Sequence, residues 1–283
     1  MTTGTSTKKG EMNNGMRDDL SHDNQSSSGS RICAQGLQNL IHLLRRRVQE
    51  HGEKTVYTYL KDGESQETRL TYCELEQRAL AIAAYLQSHL CPGERVLLLC
   101  PPGTEFPTAF FGCLCAGMVA VPTYLPYSNQ FLASLAATVF DAGPTVALTT
   151  ASTLEQYKRQ IYQTPGLMAL KWIPTDTIPD DLANAWEEPT VGADSLAVLQ
   201  YTSGSTGSPK GVMVSHGNLL HNSSVIHAVF GLSPSSCGVM WLPPYHDMGL
   251  IGGIIQPVYA GADMILISPV HLIQKPLRWL MAI

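Results

Sequence analysis

Short apolar runs with no polar alternation recur along this chain, and most are followed by a segment of helical spacing. Arg95-Val-Leu-Leu-Leu-Cys100 is one such run. Val119 to Val121, Val146 to Thr149, Leu196 to Leu199, Val239 to Leu242 and Met264 to Ile267 are others. A strand without alternation is buried on both faces, the condition of a parallel sheet covered by helices on each side. Helices are expected from about Glu105, Ser128 and Ser152, from near His216, after Gly249, and over the closing run Val270 to Ile283. Repeated strand–helix units give an α/β fold with largely parallel sheets flanked by helices. In such sheets ligands sit outside the carboxyl ends of the strands.

The first part of the chain reads differently. Leu37, Leu40, Ile41, Leu44 and Val48 follow helical spacing, and Arg45, Arg46 and Arg47 near the end of that helix read as a solvated face. Thr55 to Leu60 and Glu67 to Leu70 read as paired strands around an Asp62-Gly63 turn. Thr71 and Glu74 have capping-box spacing, and the helix they open carries Leu75, Ala79, Ile82, Leu86 and Leu90 on one face. Residues Pro174 to Pro189 read as a Pro/Asp-rich connection.

Composition excludes several function classes. Hydrophobic residues make up 44% of the 283 and charged ones 14%, which fits a well-buried globular protein. A net charge of -5 gives no electrostatic reason to expect nucleic acid. The uncharged stretch Phe106 to Phe140 is interrupted by Pro107, Pro122 and Pro126, so it reads as helix, buried strand, helix rather than a membrane span. The seven cysteines contain no C-x-x-C pair and read as reduced, mostly buried thiols of a cytoplasmic protein, not a zinc site. Residues 1–30 have no apolar signal core and a Ser/Asn/Gly/Asp content that predicts a disordered tail.

Two segments carry chemistry. Tyr201 to Asn218 reads YTSGSTGSPKGVMVSHGN, with Gly204, Gly207 and Gly211, the hydroxyls of Thr202, Ser203, Ser205 and Thr206, and Lys210 crowded into one turn after a buried strand. Glycines allow close backbone approach, successive N–H groups and hydroxyls suit phosphate oxygens, and a lysine adds a point charge. On composition alone a Gly/Ser loop of this kind is more often a plain flexible connection. The turn is not a Walker loop, because Lys210 lies between Pro209 and Gly211 and a strand follows. Ser203 and Ser205 do not sit in G-x-S-x-G, which removes a serine hydrolase. Further on, CGVMWLPPYHDMGLIGG (Cys237 to Gly253) is a strand, a rigid Pro-Pro turn, His246-Asp247 and a glycine-rich helix start. A polar pair at a strand's carboxyl end is placed to bind. Asp247 as a helix cap and His246 as an ordinary loop histidine are the alternatives.

The first string closely resembles the phosphate-loop signature of the adenylate-forming superfamily. The run WLPPYHDMGLIGGIIQPVYAGADMILISPVHLIQKPLRWL resembles its fatty acyl-AMP ligase branch. The resemblance spans about Leu37 to Ile283, so 31–283 is expected to be the N-terminal portion of such an adenylation domain. It implies that Thr202, Ser203, Gly204, Ser205, Thr206, Gly207 and Lys210 bind the ATP phosphates. It implies that His246 positions the acyl carboxylate, and that Asp247, Met248 and Gly249 help shape the fatty-acyl site. The chemistry it implies is attack of a fatty-acid carboxylate on MgATP to give acyl-AMP and pyrophosphate. The acyl group then passes to the phosphopantetheine thiol of an acyl carrier protein, in polyketide or lipopeptide biosynthesis. The superfamily's aromatic-Gly-x-x-Glu motif, ribose-binding aspartate and C-terminal lysine domain are not found here. The uncapped, apolar last residues also suggest a chain cut within an element, so this stretch by itself is expected not to complete catalysis. An acyl-CoA ligase or amino-acid adenylation domain is the alternative within the superfamily, and a non-catalytic nucleotide-binding module the alternative outside it.

Overall fold

The computed structural model describes residues 36–202 and 209–283. Their strands form two sheets, and the burial of each strand explains its place. The larger sheet holds β3 (Arg95–Leu98), β4 (Val119–Pro122), β5 (Val146–Thr149), β6 (Lys171–Pro174), β7 (Leu196–Thr202) and β8 (Lys210–Ser215), in the order β6-β5-β3-β4-β7-β8. All its pairs are parallel except β7 with β8, which form an antiparallel hairpin. Along β3 the side chains alternate between two cores. Val96 and Leu98 join one, and Leu97 and Leu99 the other. The first core is closed by α2 (Tyr72–Gln87) and α3 (Glu105–Cys115), the second by α4 (Asn129–Ala142) and α5 (Ala151–Gln163). Burial on both faces is why these runs lack polar alternation.

The smaller sheet has the order β2-β1-β10-β9, from β1 (Thr55–Leu60), β2 (Glu67–Thr71), β9 (Cys237–Met240) and β10 (Asp263–Ile267). The hairpin β1–β2 is antiparallel, and β10 pairs in parallel with both β1 and β9. The hairpin turn is held by Asp62, whose Oδ1 accepts the N–H groups of Glu64, Ser65 and Gln66, each at 2.9 Å. The capping box forms as expected, with Thr71 and Glu74 bonding each other's backbone N–H at 3.2 and 2.8 Å.

Several expectations are corrected. Arg47 does not lie on a solvated face. It follows Leu40, Ile41, Leu43 and Leu44 onto the buried side of α1 (Leu40–His51) and is 6% exposed. It donates to the carbonyls of Val258 at 3.0 Å and Tyr259 at 2.5 Å, and it pairs with Glu50. Those carbonyls end α8 (Gln256–Ala260), where the helix carries partial negative charge. Arg45 and Arg46 do lie at the surface, paired with Glu188 and Glu50. The connection after β5 and α5 contains a one-turn helix, α6 (Pro165–Met168), and the edge strand β6, both too short to show a period. β9 begins two residues before the expected start. The final apolar run is not one helix but two, α9 (Pro269–Gln274) and α10 (Leu277–Ala282), because Pro276 cannot continue the ladder. The disordered tail predicted for residues 1–30 lies outside the described residues.

Candidate functional site

The first constellation sits where β7 ends. Thr202 and Lys210 face each other as the last paired residues of the β7–β8 hairpin, both exposed at its mouth. The backbone that joins them includes Ser203, Gly204, Ser205, Thr206 and Gly207, which lie outside the described residues. Just inside the mouth, Tyr201 lies opposite Gly211, and a β-carbon on Gly211 would come within 3.0 Å of the Tyr201 ring. Glycine there lets the ring cover the edge strand. The ring's hydroxyl donates to Asp141 Oδ2 at 2.5 Å, and burial together with that carboxylate raises its pKa. The mouth is thereby braced against α4.

The second constellation is built from its backbone outward. β9 ends at Met240, and the Pro243-Pro244 turn carries the chain back so that His246 N–H donates to Pro243 O at 3.0 Å. Leu250 N–H then donates to His246 O at 2.8 Å and starts the helix. Gly249 packs directly on this turn: a β-carbon would stand 2.1 Å from Pro243 O and 2.8 Å from Leu242 O. His246 Nδ1 lies 2.6 Å from Asp247 Oδ1, with both side chains about two-thirds exposed. The same Asp247 oxygen accepts Met248 N–H at 2.7 Å. Asp247 therefore bonds the imidazole and the next residue's N–H, and it is not a helix cap, because a cap accepts from the N–H two or three residues on.

One bond joins the two constellations. Gln200, an 8%-exposed polar residue within the buried β7, donates from Nε2 to Tyr245 O at 2.7 Å. The carboxyl end of β7 and the residue before His246 are thus fixed relative to each other. Sequence reading passed over Gln200. Its signal was a lone amide at the end of an apolar run.

Beyond His246-Asp247 the helix opens a groove of about 600 Å³. Asp247, Met248, Ile251, Gly252 and Gln256 form one wall. Ile226 and Phe230 of α7 (His216–Phe230) form another, with Val239, Met240 and Met264 from the small sheet. The wall is wide because the helix is unusual here. Residues Gly249–Ile255 are π-helical, and Gln256 N–H donates five residues back, to Ile251 O. Pro257, which has no N–H and whose ring crowds the carbonyl four residues earlier, ends the ordinary ladder. Glycines at 252 and 253 leave room for Met240, whose side chain a β-carbon would meet at 3.3 and 2.6 Å. Of the expected acyl-site residues, Asp247 and Met248 line this groove, whereas Gly249 shapes the turn behind it and borders a smaller cavity of about 100 Å³ with Tyr59, Tyr127 and Tyr245. Among the described residues no group of three or more His, Cys, Asp or Glu side chains is arranged to hold a metal, and no helix is long and apolar enough to cross a membrane.

Residues 44–283 match the model of a family described as AMP-binding enzyme. The chain is 42% identical over 248 residues to the medium-chain-fatty-acid–acyl-carrier-protein ligase JamA of Moorena producens, covering 86% of this chain and 42% of that one. It is 35% identical over 247 residues to the long-chain-fatty-acid–AMP ligase FadD23 of Mycobacterium tuberculosis, covering 84% and 42%. Among solved structures, the fatty acid AMP ligase from Legionella pneumophila superposes with a TM-score of 0.82 at 38% identity, over 87% of this chain and 42% of that one. The chain thus spans about 42% of the length of these relatives.

Proposed function

This chain belongs to the AMP-binding enzyme family, and on that premise we propose that it supplies the phosphate loop and acyl groove of a ligase that activates fatty acids. The reaction joins a fatty-acid carboxylate to the α-phosphorus of ATP, releases pyrophosphate and leaves acyl-AMP. The acyl group then passes to the phosphopantetheine thiol of an acyl carrier protein, in the cytoplasm, for polyketide or lipopeptide assembly. The observation that carries this reading is the apolar groove whose wall begins at Asp247, the residue that bonds the His246 imidazole. At about 600 Å³ it falls in the range of small-molecule sites. Each methylene buried in it is worth about 0.8 kcal/mol. A chain of alkyl carbons gains from such a groove, and a compact polar side chain does not.

Two anions meet in this reaction, so positioning and charge stabilisation dominate. The hydroxyls and N–H groups of Thr202 through Gly207 would hold the β and γ phosphates, and Lys210 would offset charge growing on pyrophosphate. His246, oriented by Asp247, would hold the carboxylate at the groove's head. The Gln200–Tyr245 bond supports this arrangement by tying the phosphate end to the carboxylate end. Magnesium fits as an ion that arrives on the nucleotide: hard oxygen donors of phosphates and waters satisfy it without a protein cage. Bound there, it would neutralise phosphate charge.

The test is calorimetry with a non-hydrolysable sulfamoyl analogue of dodecanoyl-AMP. Binding is expected, with a loss of tenfold or more on Gly252→Leu, which narrows the groove, while melting shows the variant folded. Equal binding of an aminoacyl analogue, insensitive to Gly252→Leu, would overturn the fatty-acid assignment.

A further inference from the structure

The groove is apolar along its middle and charged at its foot. Its direction follows from the fold. The chain leaves β9 at Met240, turns at Pro243-Pro244 and comes back along the strand in the π-helix and α8. The spacing of contacts shows this return: a β-carbon on Gly249 would meet Leu242 and Pro243, and one on Gly253 would meet Met240. The head of the groove therefore lies at the carboxyl end of β9 and the foot at its amino end, where Cys237 stands beside Asp263 in the parallel ladder. Ile226, Val239, Met240, Ile251 and Met264 line the middle. Asn222 is exposed and stands toward the head, eight residues before Phe230 on α7, and both amide atoms of Gln256 are enclosed, out of a ligand's reach.

Two polar side chains line the foot besides the Cys237 thiol. The Ser236 hydroxyl already accepts Ser233 N–H at 3.0 Å. Asp263 is held as an ion: its Oδ1 lies 2.9 Å from Lys54 Nζ, and its side chain is 41% exposed. Lys54 also donates to Gly261 O at 2.8 Å and to Pro234 O, so the ammonium is tied to three segments and fixes the carboxylate with it. Each methylene laid along the middle of the groove gains from burial. A methylene pushed against Asp263 strips water from a charge, which costs more than the burial returns. The gain ends at the foot.

The distance sets a length. Met248 to Ala260 is twelve residues of helix, or ~18 Å. A fully extended chain advances about 1.2 Å per bond, as a peptide does over its three bonds per residue. Resting on the acyl-groove reading above, we infer that Asp263, fixed by Lys54, is the stop that sets the substrate's chain length, at about fourteen carbons.

The experiment measures, by calorimetry, binding of sulfamoyl acyl-AMP analogues with even chains from eight to eighteen carbons. The adenylate fixes the head, so each added carbon is laid further toward the foot. Affinity is expected to rise by up to about fourfold per methylene as far as about fourteen carbons, and to level or fall beyond. Asp263→Leu makes the foot apolar while Lys54 keeps its two carbonyl partners, and the rise is expected to run on for two carbons or more. Cys237→Phe fills the foot instead and is expected to end the rise two carbons or more sooner. Melting of each variant shows that it is folded. A wild-type rise that continues through eighteen carbons would overturn this inference and leave the acyl groove standing. So would an end point that a folded Asp263→Leu or Cys237→Phe chain leaves where it was. If the folded chain binds none of the analogues, or all of them equally, the acyl-groove reading fails, and this inference with it.

Discussion

Gly249→Ala isolates the contact on which the His246 turn depends. Two effects compete. Replacing glycine by alanine within a helix gains up to about 1 kcal/mol from propensity, and Gly249 is not among the glycines that need positive φ. Against this, the new β-carbon would stand 2.1 Å from Pro243 O, 2.7 Å from Pro243 C and 2.8 Å from Leu242 O. A carbon–oxygen contact relaxes at about 3.3 Å, so the turn must retreat by ~1 Å. All three atoms are backbone, braced by two prolines, and no flexible side-chain tip can absorb the shift. Overpacking of one methyl costs typically 1–3 kcal/mol, and this geometry belongs at about 3. The clash therefore wins by about 2 kcal/mol, which at ~2–4 °C per kcal/mol is a fall of about 4–8 °C in Tm. Gly252→Ala is the internal control. Its β-carbon would meet only Met240 Cε, at 3.3 Å, the end of a flexible side chain, so propensity decides and Tm holds or rises slightly. Differential scanning calorimetry of the two variants reads this directly. A Gly249→Ala protein that melts at or above the wild type would refute the argument that the turn is locked by this contact.

Three further outcomes are expected. On the function proposed above, Lys210→Ala is expected to lower fatty-acid-dependent ATP–pyrophosphate exchange by about a hundredfold, the typical cost of one charge-stabilising donor. An unchanged rate would remove Lys210 from the phosphate site. His216 is 1% exposed, its Nδ1 accepts Leu40 N–H at 3.2 Å, and burial lowers its pKa to about 4 from 6.5. The folded state then binds fewer protons than the unfolded one between those values, so stability is full above pH 6.5 and is lost as pH falls toward 4, by roughly 3 kcal/mol. Urea unfolding across that range should show the slope, and His216→Asn should flatten it. Arg47→Met is expected to cost about 2–4 kcal/mol in urea unfolding, because the carbonyls of Val258 and Tyr259 lose a buried donor. A loss below 1 kcal/mol would mean that the bonds at the end of α8 contribute little.

The architecture was legible because burial leaves a direct trace in composition. Val96 to Cys100 and Val146 to Leu148 are apolar at every position because helices cover both faces of the sheet. The Thr71–Glu74 box was readable for a similar reason, since it is a contact within a few residues. The short pieces α6 and β6 were not, because neither is long enough to show a period.

Sequence by itself determined the α/β class, the glycine hairpin after a buried strand and the rigid turn before His246-Asp247, since each is written in the order of neighbouring residues. Tertiary structure alone decided how those parts meet. It set Gln200 against Tyr245 across forty-five residues of chain. It turned Arg47 from an apparent surface charge into a donor to the end of a helix 211 residues away. It also enclosed the Gln256 amide with no hydrogen-bond partner. A buried polar group is defined by what surrounds it, and that surrounding is assembled from segments distant in sequence.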